Sequence, residues 1–600
     1  MTGRSGVARD DSHAEVPHPP GVRDLKRERR ELAERLYAQR VPGPERRRQF
    51  TELVHTRLAE HFADVAGSAP GVTLGAVGSV GRGDSGPASD LDLVLLHDGS
   101  SLSKTEVGVL AQRLWYPIWD AGLELDYSTR SITETRQVAS KDLAAAAGLL
   151  DLQPIAGDEA LAKNARALIY QDWRAAARKR LPELLAASHA RGERFGKLAY
   201  LIEPHLKEAR GGTRDYISLA ALAATWLTDR PHGAVDDAAD MLMDTRDAIQ
   251  MVVGRPQNVL GRHIASDVAT LMDYSDPDDL LAALAEAGRT VAFAVDATER
   301  RARRSLEKSG IGSRAFLARR RATAPRHVAV APGLIDVDGD LALAPGYDPT
   351  TDALLPLRAA ANAASKGLPF TPSLLESLGA CPELPEPWPR EARAHLGELL
   401  RSSNHVVSVW EAIDLEGLAV RWIPEWGGVR NRPQRSPIHR FTVDRHMLET
   451  VVLAGRHRRT VPHLDLLLLA SLLHDIGKRP GATDHSADGA ALIPPIAARM
   501  GLSAETSADL ELLVREHLTL ATFATTRDVA DPAVVSELVD RIDGRLDMLE
   551  TLRALTEADA KAAGPKAWTT WRAGLIETLT ERARDVLVAR AQPGDPPPPG

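Results

Sequence analysis

The sequence predicts an α+β protein that is predominantly α-helical and divided into several domains. Three observations lead there. The chain has 600 residues, 44% of them hydrophobic, enough to bury more than one core. Short β-branched runs alternating with glycine turns concentrate in residues 72–131, which predicts one small sheet. Around it, alanine- and leucine-rich stretches with apolar residues at helical spacing fill most of the remaining length.

Taken in order, residues 1–23 are polar and proline-containing, and disorder is expected there. Within 24–133, "LKRERRELAERLYAQR" and "RRRQFTELVHTRLAEHF" read as two helices broken by "VPGPE". The basic run in the first is expected to be a solvated helix face. The sheet follows, with a helix around "KTEVGVLAQRLWYPIWDAG". Residues 134–325 read as a helical bundle. Residues 326–435 open on "VAVAPGLIDVDGDLALAPGYDPTTDALLP", whose strand-like pieces and turn dipeptides predict a connecting subdomain. A second helical domain fills 436–592, and 593–600 is a proline-rich tail that cannot continue a helix.

Composition removes several function classes. There is no apolar core of signal-peptide length and no run of about 18 apolar residues, so no membrane association is expected. A formal net charge of -8 argues against a chain that grips long nucleic acid. The single cysteine, Cys381, cannot close an intramolecular disulfide, which points to a reducing, cytoplasmic setting.

The chemistry begins in "AVGSVGRGDSGPASDLDLVLLHD", residues 76–98. Gly78, Gly81 and Gly83 allow a tight turn with outward amides, and Ser79 adds a hydroxyl, a set suited to phosphate oxygens. Asp90 and Asp92, one residue apart in a strand, project from the same face. Two such carboxylates repel unless a cation sits between them. Magnesium, with manganese as the alternative, would bridge them to a triphosphate, as nucleotidyl transfer requires. A third carboxylate is expected from "GLELDYSTRS", Asp126 being preferred over Glu124.

This segment resembles the nucleotidyltransferase superfamily that includes DNA polymerase beta and the CCA-adding enzymes. "LIEPHLKEARGGTRDYISL" narrows the resemblance, being similar to the signature of the bifunctional PII uridylyltransferase/uridylyl-removing enzymes, as is "YPIWDAGLELDYSTRS". The resemblance implies catalytic Asp90, Asp92 and Asp126, with Gly78, Ser79, Gly81, Arg82, Lys207 and Arg214 on the nucleotide. It also implies UTP as donor and a tyrosine of the PII signalling protein as acceptor. Read from the residues alone, Lys207 and Arg214 would hold phosphates or base-adjacent carboxylates, with Gly211 and Gly212 serving a close backbone approach, or the two cations would simply pair with Glu203, Glu208 and Asp215 at a helix end. His205 stands where the family usually shows Asn or Asp.

The second constellation is "LDLLLLASLLHDIGKRPGATDHSADGA", an apolar helix ending in His474 and Asp475, with Gly477 as a stop. His446, in "HRFTVDRHMLE", lies on the preceding predicted helix. An imidazole and carboxylate set of this kind binds a divalent metal with open positions for water and a phosphate oxygen. The region resembles the HD phosphohydrolase superfamily, which implies metal ligands His446, His474, Asp475 and Asp559. Lys478, His485 and His517 match auxiliary positions that would bind the scissile phosphate or a second ion.

The resemblance thus implies a polymerase-beta-like nucleotidyltransferase domain with a small mixed sheet, a helical bundle and an all-α HD domain, one writing and the other erasing a nucleotidyl group on PII. Adenylylation from ATP, and a non-catalytic PII-binding regulator, are the alternative readings. Family members carry two glutamine-sensing ACT domains after the HD region, and this sequence stops about where they would begin. Truncation and natural loss of the sensor both remain open.

Overall fold

The computed structural model describes residues 21–309, 327–402, 405–434 and 440–591. The disorder expected for 1–20 and the tail 593–600 lie outside the described residues. Residues 21–23 depart from expectation: Val22–Asp24 form a 3-10 turn, with Val22 4% exposed in the core. The chain divides into two compact units, residues 1–183 with 246–257, and residues 184–245 with 258–600. The divide falls within two helices, Ala177–Phe195 and Ala234–Val253.

The first unit runs α1 (Leu25–Ala38), α2 (Gly43–Ala66), β1 (Val72–Ala76), α3 (Gly78–Arg82), β2 (Leu91–His97), α4 (Lys104–Asp120), β3 (Leu125–Ser131), α5 (Ile132–Lys141), α6 (Leu143–Leu149), β4 (Gln153–Gly157) and α7 (Glu159–Ala175). Both helices flanking β3 start on capping boxes, Ser103 with Glu106 and Ser131 with Glu134, so Ser131 ends the strand and opens α5. The sheet is mixed, in the order β3-β2-β1-β4. β1 is antiparallel to both neighbours, whereas β2 and β3 run parallel. Leu74, Leu91, Leu93 and Leu95 of the sheet pack with Leu58 of α2 and Leu114 and Ile118 of α4 in one core. Both faces of β2 are buried from Leu93 to Leu96, with Asp92 and His97 half-buried towards its two ends.

Two sequence expectations need correction here. β4 lies in a stretch read as helical bundle. "QPIAG" is too short and too proline- and glycine-rich to show strand periodicity, and it is a strand because β1 has an open edge for it. The basic run of α1 is not wholly a solvated face. Arg29 is only 3% exposed and donates to Ser89 O at 2.8 Å and Gly86 O at 2.6 Å.

The second unit is almost wholly helical. Its first part contains the helix Thr213–Ala223 and the long helix Pro277–Ser309. A three-stranded antiparallel sheet, His327–Ala331, Leu334–Val337 and Asp340–Leu343, fulfils the strand-like reading of that interval. The helices from Leu355–Lys366 to Leu418–Trp422 follow, with Trp410 stacked near Trp426 at 5.2 Å. The last part holds helices Val443–Ala454, Leu464–Leu473, His485–Met500, Ala504–Glu516 and Leu546–Ala563. Leu464–Leu473, apolar on every side, is the one around which the others gather, as an all-round hydrophobic helix must be buried.

Candidate functional site

In the first unit, β1 runs directly into α3, whose first amides have no partner within so short a helix. Gly78 has φ +59°, and a Cβ there would lie 2.1 Å from Asp92 Oδ2. The missing side chain is therefore what lets the turn lie against the carboxylate. Ser79 is buried, and its hydroxyl has no hydrogen-bond partner among the described residues. A buried unpaired hydroxyl costs free energy, and phosphate oxygens on the adjacent amides would satisfy it.

The parallel ladder places Asp126 level with Asp92, one strand spacing or about 4.8 Å away and on the same face. Glu124 falls just before β3, where its carbonyl accepts from Leu91 N–H at 2.9 Å. Asp90 precedes β2 by one residue. Three carboxylates thus share one end of the sheet beside the turn, a donor set that fits hard divalent cations.

The remaining residues of the motif also make contacts within the chain. A Cβ on Gly81 would meet Asp151 O at 2.5 Å, so this glycine serves close chain packing. The Arg82 guanidinium is paired with Asp84 at 2.9 Å and Asp151 at 2.7 Å. Residues that sequence reasoning missed clamp the loop before Asp90. Besides Arg29, Arg246 donates to Asp84 O at 2.9 Å and Gln250 accepts from Ala88 N–H at 2.9 Å. They come from distant segments, and no local signal marks them.

Lys207 and Arg214 belong to the second unit. Arg214 pairs with Glu208 at 3.2 Å, the plainer of the two sequence readings, and its N–H donates to Lys207 O at 3.2 Å. Asp215 is buried and accepts from Ser188 at 3.0 Å and Gly211 N–H at 2.8 Å, with Arg191 beside it. Gly211, at φ +88°, makes its close approach to Gly288, whose carbonyl would lie 2.2 Å from a Cβ there. His205 Nδ1 accepts from Glu208 N–H at 3.1 Å, three residues on. That is the bond an Asn or Asp side chain would accept, and it explains how histidine stands in their place.

In the last part of the second unit, five helical segments bring six predicted residues together. His446 faces inward from Val443–Ala454; His474 and Asp475 close Leu464–Leu473; His485 opens its helix; His517 closes Ala504–Glu516; and Asp559 lies on Leu546–Ala563. His446 Nε2 is 3.3 Å from His474 Nε2 and 2.9 Å from Asp559 Oδ1. Asp475 Oδ2 lies 3.3 Å from His474 and 3.6 Å from His446, while its Oδ1 is 3.7 Å from His485 and 3.6 Å from His517. Two ligand groups result, His446 with His474 and Asp559, and Asp475 with His485 and His517. Asp475 faces both.

The cluster fits a metal on two counts. Both Asp475 oxygens and His485 Nε2 are buried without a well-formed hydrogen bond. His474 and His517 each direct Nδ1 to a backbone carbonyl, at 2.9 and 2.7 Å, which turns Nε2 of both rings into the cluster. Burial would push the His474 imidazole down, but Asp475 and Asp559 outweigh it and lift the ring to about 10. Burial would likewise raise both carboxylates, yet His474 and Lys478 hold Asp475, and His446 and His474 hold Asp559, well below the usual range. The anionic charge is therefore fixed in place. Lys478 Nζ reaches Asp475 Oδ2 at 2.7 Å. Gly477 has its own reason beyond ending the helix: a Cβ there would strike His485 O at 2.1 Å.

The residues just before His446 were not legible as functional. Arg445 bonds Glu411 at 2.6 Å and the Tyr200 hydroxyl at 2.9 Å, and Asp444 lies 3.4 Å from Arg289. This network sets the helix carrying His446.

Comparison with known proteins agrees with this geometry. The HD domain family matches residues 443–558, and the GlnD PII-uridylyltransferase family matches residues 179–298. The chain is 38% identical over 590 residues to a bifunctional uridylyltransferase/uridylyl-removing enzyme of Mycobacterium tuberculosis, covering 96% of this chain and 72% of the relative. The chain belongs to the bifunctional uridylyltransferase/uridylyl-removing enzyme family. Another member of this family, from Streptomyces coelicolor, is 44% identical, with 92% of this chain and 66% of the relative covered. The Corynebacterium glutamicum member is 36% identical, at 91% and 76%. The chain thus spans between 66% and 76% of these relatives' lengths. As in the family, a nucleotidyltransferase region and an HD domain occur in one chain, and no described helix is long and apolar enough to cross a membrane.

Proposed function

We propose that the chain transfers a uridylyl group from UTP to a tyrosine of the PII signalling protein at the carboxylate end of the sheet, and removes it by hydrolysis at the histidine cluster, in a cytoplasmic setting. The observation that supports this is the presence of two chemically opposed groups of residues in one chain, the carboxylates beside the Ser79 hydroxyl and the histidine cluster, each with buried polar atoms that lack a hydrogen-bond partner among the described residues.

In the forward reaction Asp90, Asp92 and Asp126 would hold magnesium, which neutralises the triphosphate and the leaving pyrophosphate. Ser79 and the α3 amides orient the phosphate oxygens. Gly78 keeps them within reach of Asp92. In the reverse reaction His446, His474, Asp475 and Asp559 would hold a divalent ion that activates water. His485 and His517 line the approach of the scissile phosphate or support a second ion, and Lys478 adds a positive charge beside Asp475.

The test is the mass of PII after incubation with UTP or with ATP, because the two adducts differ in mass. A uridylyl adduct that the same chain then removes is expected. An adenylyl adduct would transfer the reading to ATP, and no adduct from either would leave a binding regulator.

Gly78→Ala is the sharpest test of the turn. The added methyl must either displace Asp92 or move the backbone from φ +59°, so modification is expected to fall by about two orders of magnitude, roughly 3 kcal/mol of barrier. Removal should be unchanged. Initial rates of both reactions on the same preparation check this.

A further inference from the structure

β3 is an edge strand, hydrogen-bonded only to β2 among the described residues. Because Glu124 C=O faces β2, alternation along the strand turns the N–H and C=O groups of Leu125, Tyr127 and Thr129 outward. No backbone hydrogen bond reaches those outward groups among the described residues. The register with β2 is regular over seven residue pairs, with no bulge, lysine or proline to blunt the edge.

The two exposed residues of this strand, Asp126 and Tyr127, point to opposite faces. Asp126 shares the carboxylate face with Asp92. Tyr127 lies on the α4 face, its ring 5.1 Å from Trp115 and 5.1 Å from Trp119, which in turn is 5.8 Å from Tyr116. Tyr116, Trp119 and Tyr127 remain 57%, 43% and 39% exposed. Aromatic side chains left this open in one contiguous patch mark a protein contact more often than a bare surface.

We propose that the β3 edge docks the protein acceptor, an extended segment of PII pairing with it as an added strand. The proposal rests on the PII reading above and deepens it. Continuity with the transfer site selects this occupant: the edge strand itself carries Asp126, so a chain laid along it runs past the metal-holding carboxylates. Side chains of an added strand alternate between faces. The acceptor tyrosine then projects to the carboxylate face, while the residues on either side of it rest on Tyr116, Trp119 and Tyr127. Backbone pairing supplies affinity and the aromatic patch sets register, the division of labour found in strand-addition recognition.

The test uses the full chain with PII. Amide hydrogen exchange of residues 125–131 should slow when PII is added, at the outward amides of Leu125, Tyr127 and Thr129. Trp119→Ala and Tyr127→Pro should each raise KM for PII by about tenfold or more, as loss of an interface anchor does, with KM for UTP and the removal reaction unchanged. Tyr127→Pro deletes an outward N–H and spares the bonds to β2. Unchanged exchange in a chain that modifies PII, or an unchanged KM for PII in both variants, overturns the docking proposal alone. A wild-type chain that modifies no PII overturns the PII reading and this proposal with it.

Discussion

Asp92→Asn should abolish modification of PII, by about a thousandfold or more, while removal of a preformed uridylyl group proceeds at the wild-type rate. The size follows from position. Asp92 touches the Gly78 turn on one side and stands level with Asp126 on the other, so it is the carboxylate common to the phosphate cradle and the metal site. An amide of the same shape keeps the packing and loses the charge that holds the cation. Three orders of magnitude correspond to roughly 4 kcal/mol of transition-state stabilisation. Folding should not suffer, because removing one of several mutually repelling carboxylates relieves strain in the free protein. Radiolabel incorporation from UTP, and release from separately prepared uridylyl-PII, read the two activities apart. Loss of both would show that one site serves both reactions.

His474→Ala with Asp475→Ala should do the reverse. Asp475 is the residue that faces both ligand groups, at 3.3 to 3.7 Å from His474, His485 and His517, so no pairwise rearrangement can replace it. Removal is expected to fall to background, at least about a thousandfold, with modification retained. Because both side chains are buried, removing the two together avoids leaving either without the other, and Asp559 keeps His446 at 2.9 Å. A chelator should reproduce the loss in the wild type, and added divalent metal should restore it there but not in the variant. Persistence of removal in the double variant would place hydrolysis elsewhere.

Parts of this were legible in the chain itself. Asp90 and Asp92 share a face by strand alternation. His474 and Asp475 end an apolar helix whose composition alone requires burial, and the α1 and α2 periodicities mark helices. Other parts were not legible. Arg29 reads as one more charge in a basic run, yet it is buried beneath the loop that leads to Asp90. Gly81 reads as a turn residue and Gly211 as a close backbone approach, but the segments they approach, at Asp151 and Gly288, show only in the fold. Arg82 reads as a phosphate contact, and two aspartates hold it. For Arg29, Gly81 and Gly211 the deciding partner lies about 60 residues or more away, beyond any local pattern, and of the two aspartates on Arg82 only Asp84 is near in sequence.

The sequence by itself determined the fold class, the order of the parts and the types of chemistry, because periodicity, turn residues and ligand spacing act over a few residues and survive without knowledge of the partners. Only the tertiary structure decided which groups meet. Asp126 faces Asp92 because of a parallel register, the buried histidines converge because five helical segments, the apolar one among them, pack together, and β3 is left as the open edge beside the carboxylates because the sheet stops there. Those outcomes depend on long-range packing, in which each position is set by the sum of many weak contacts.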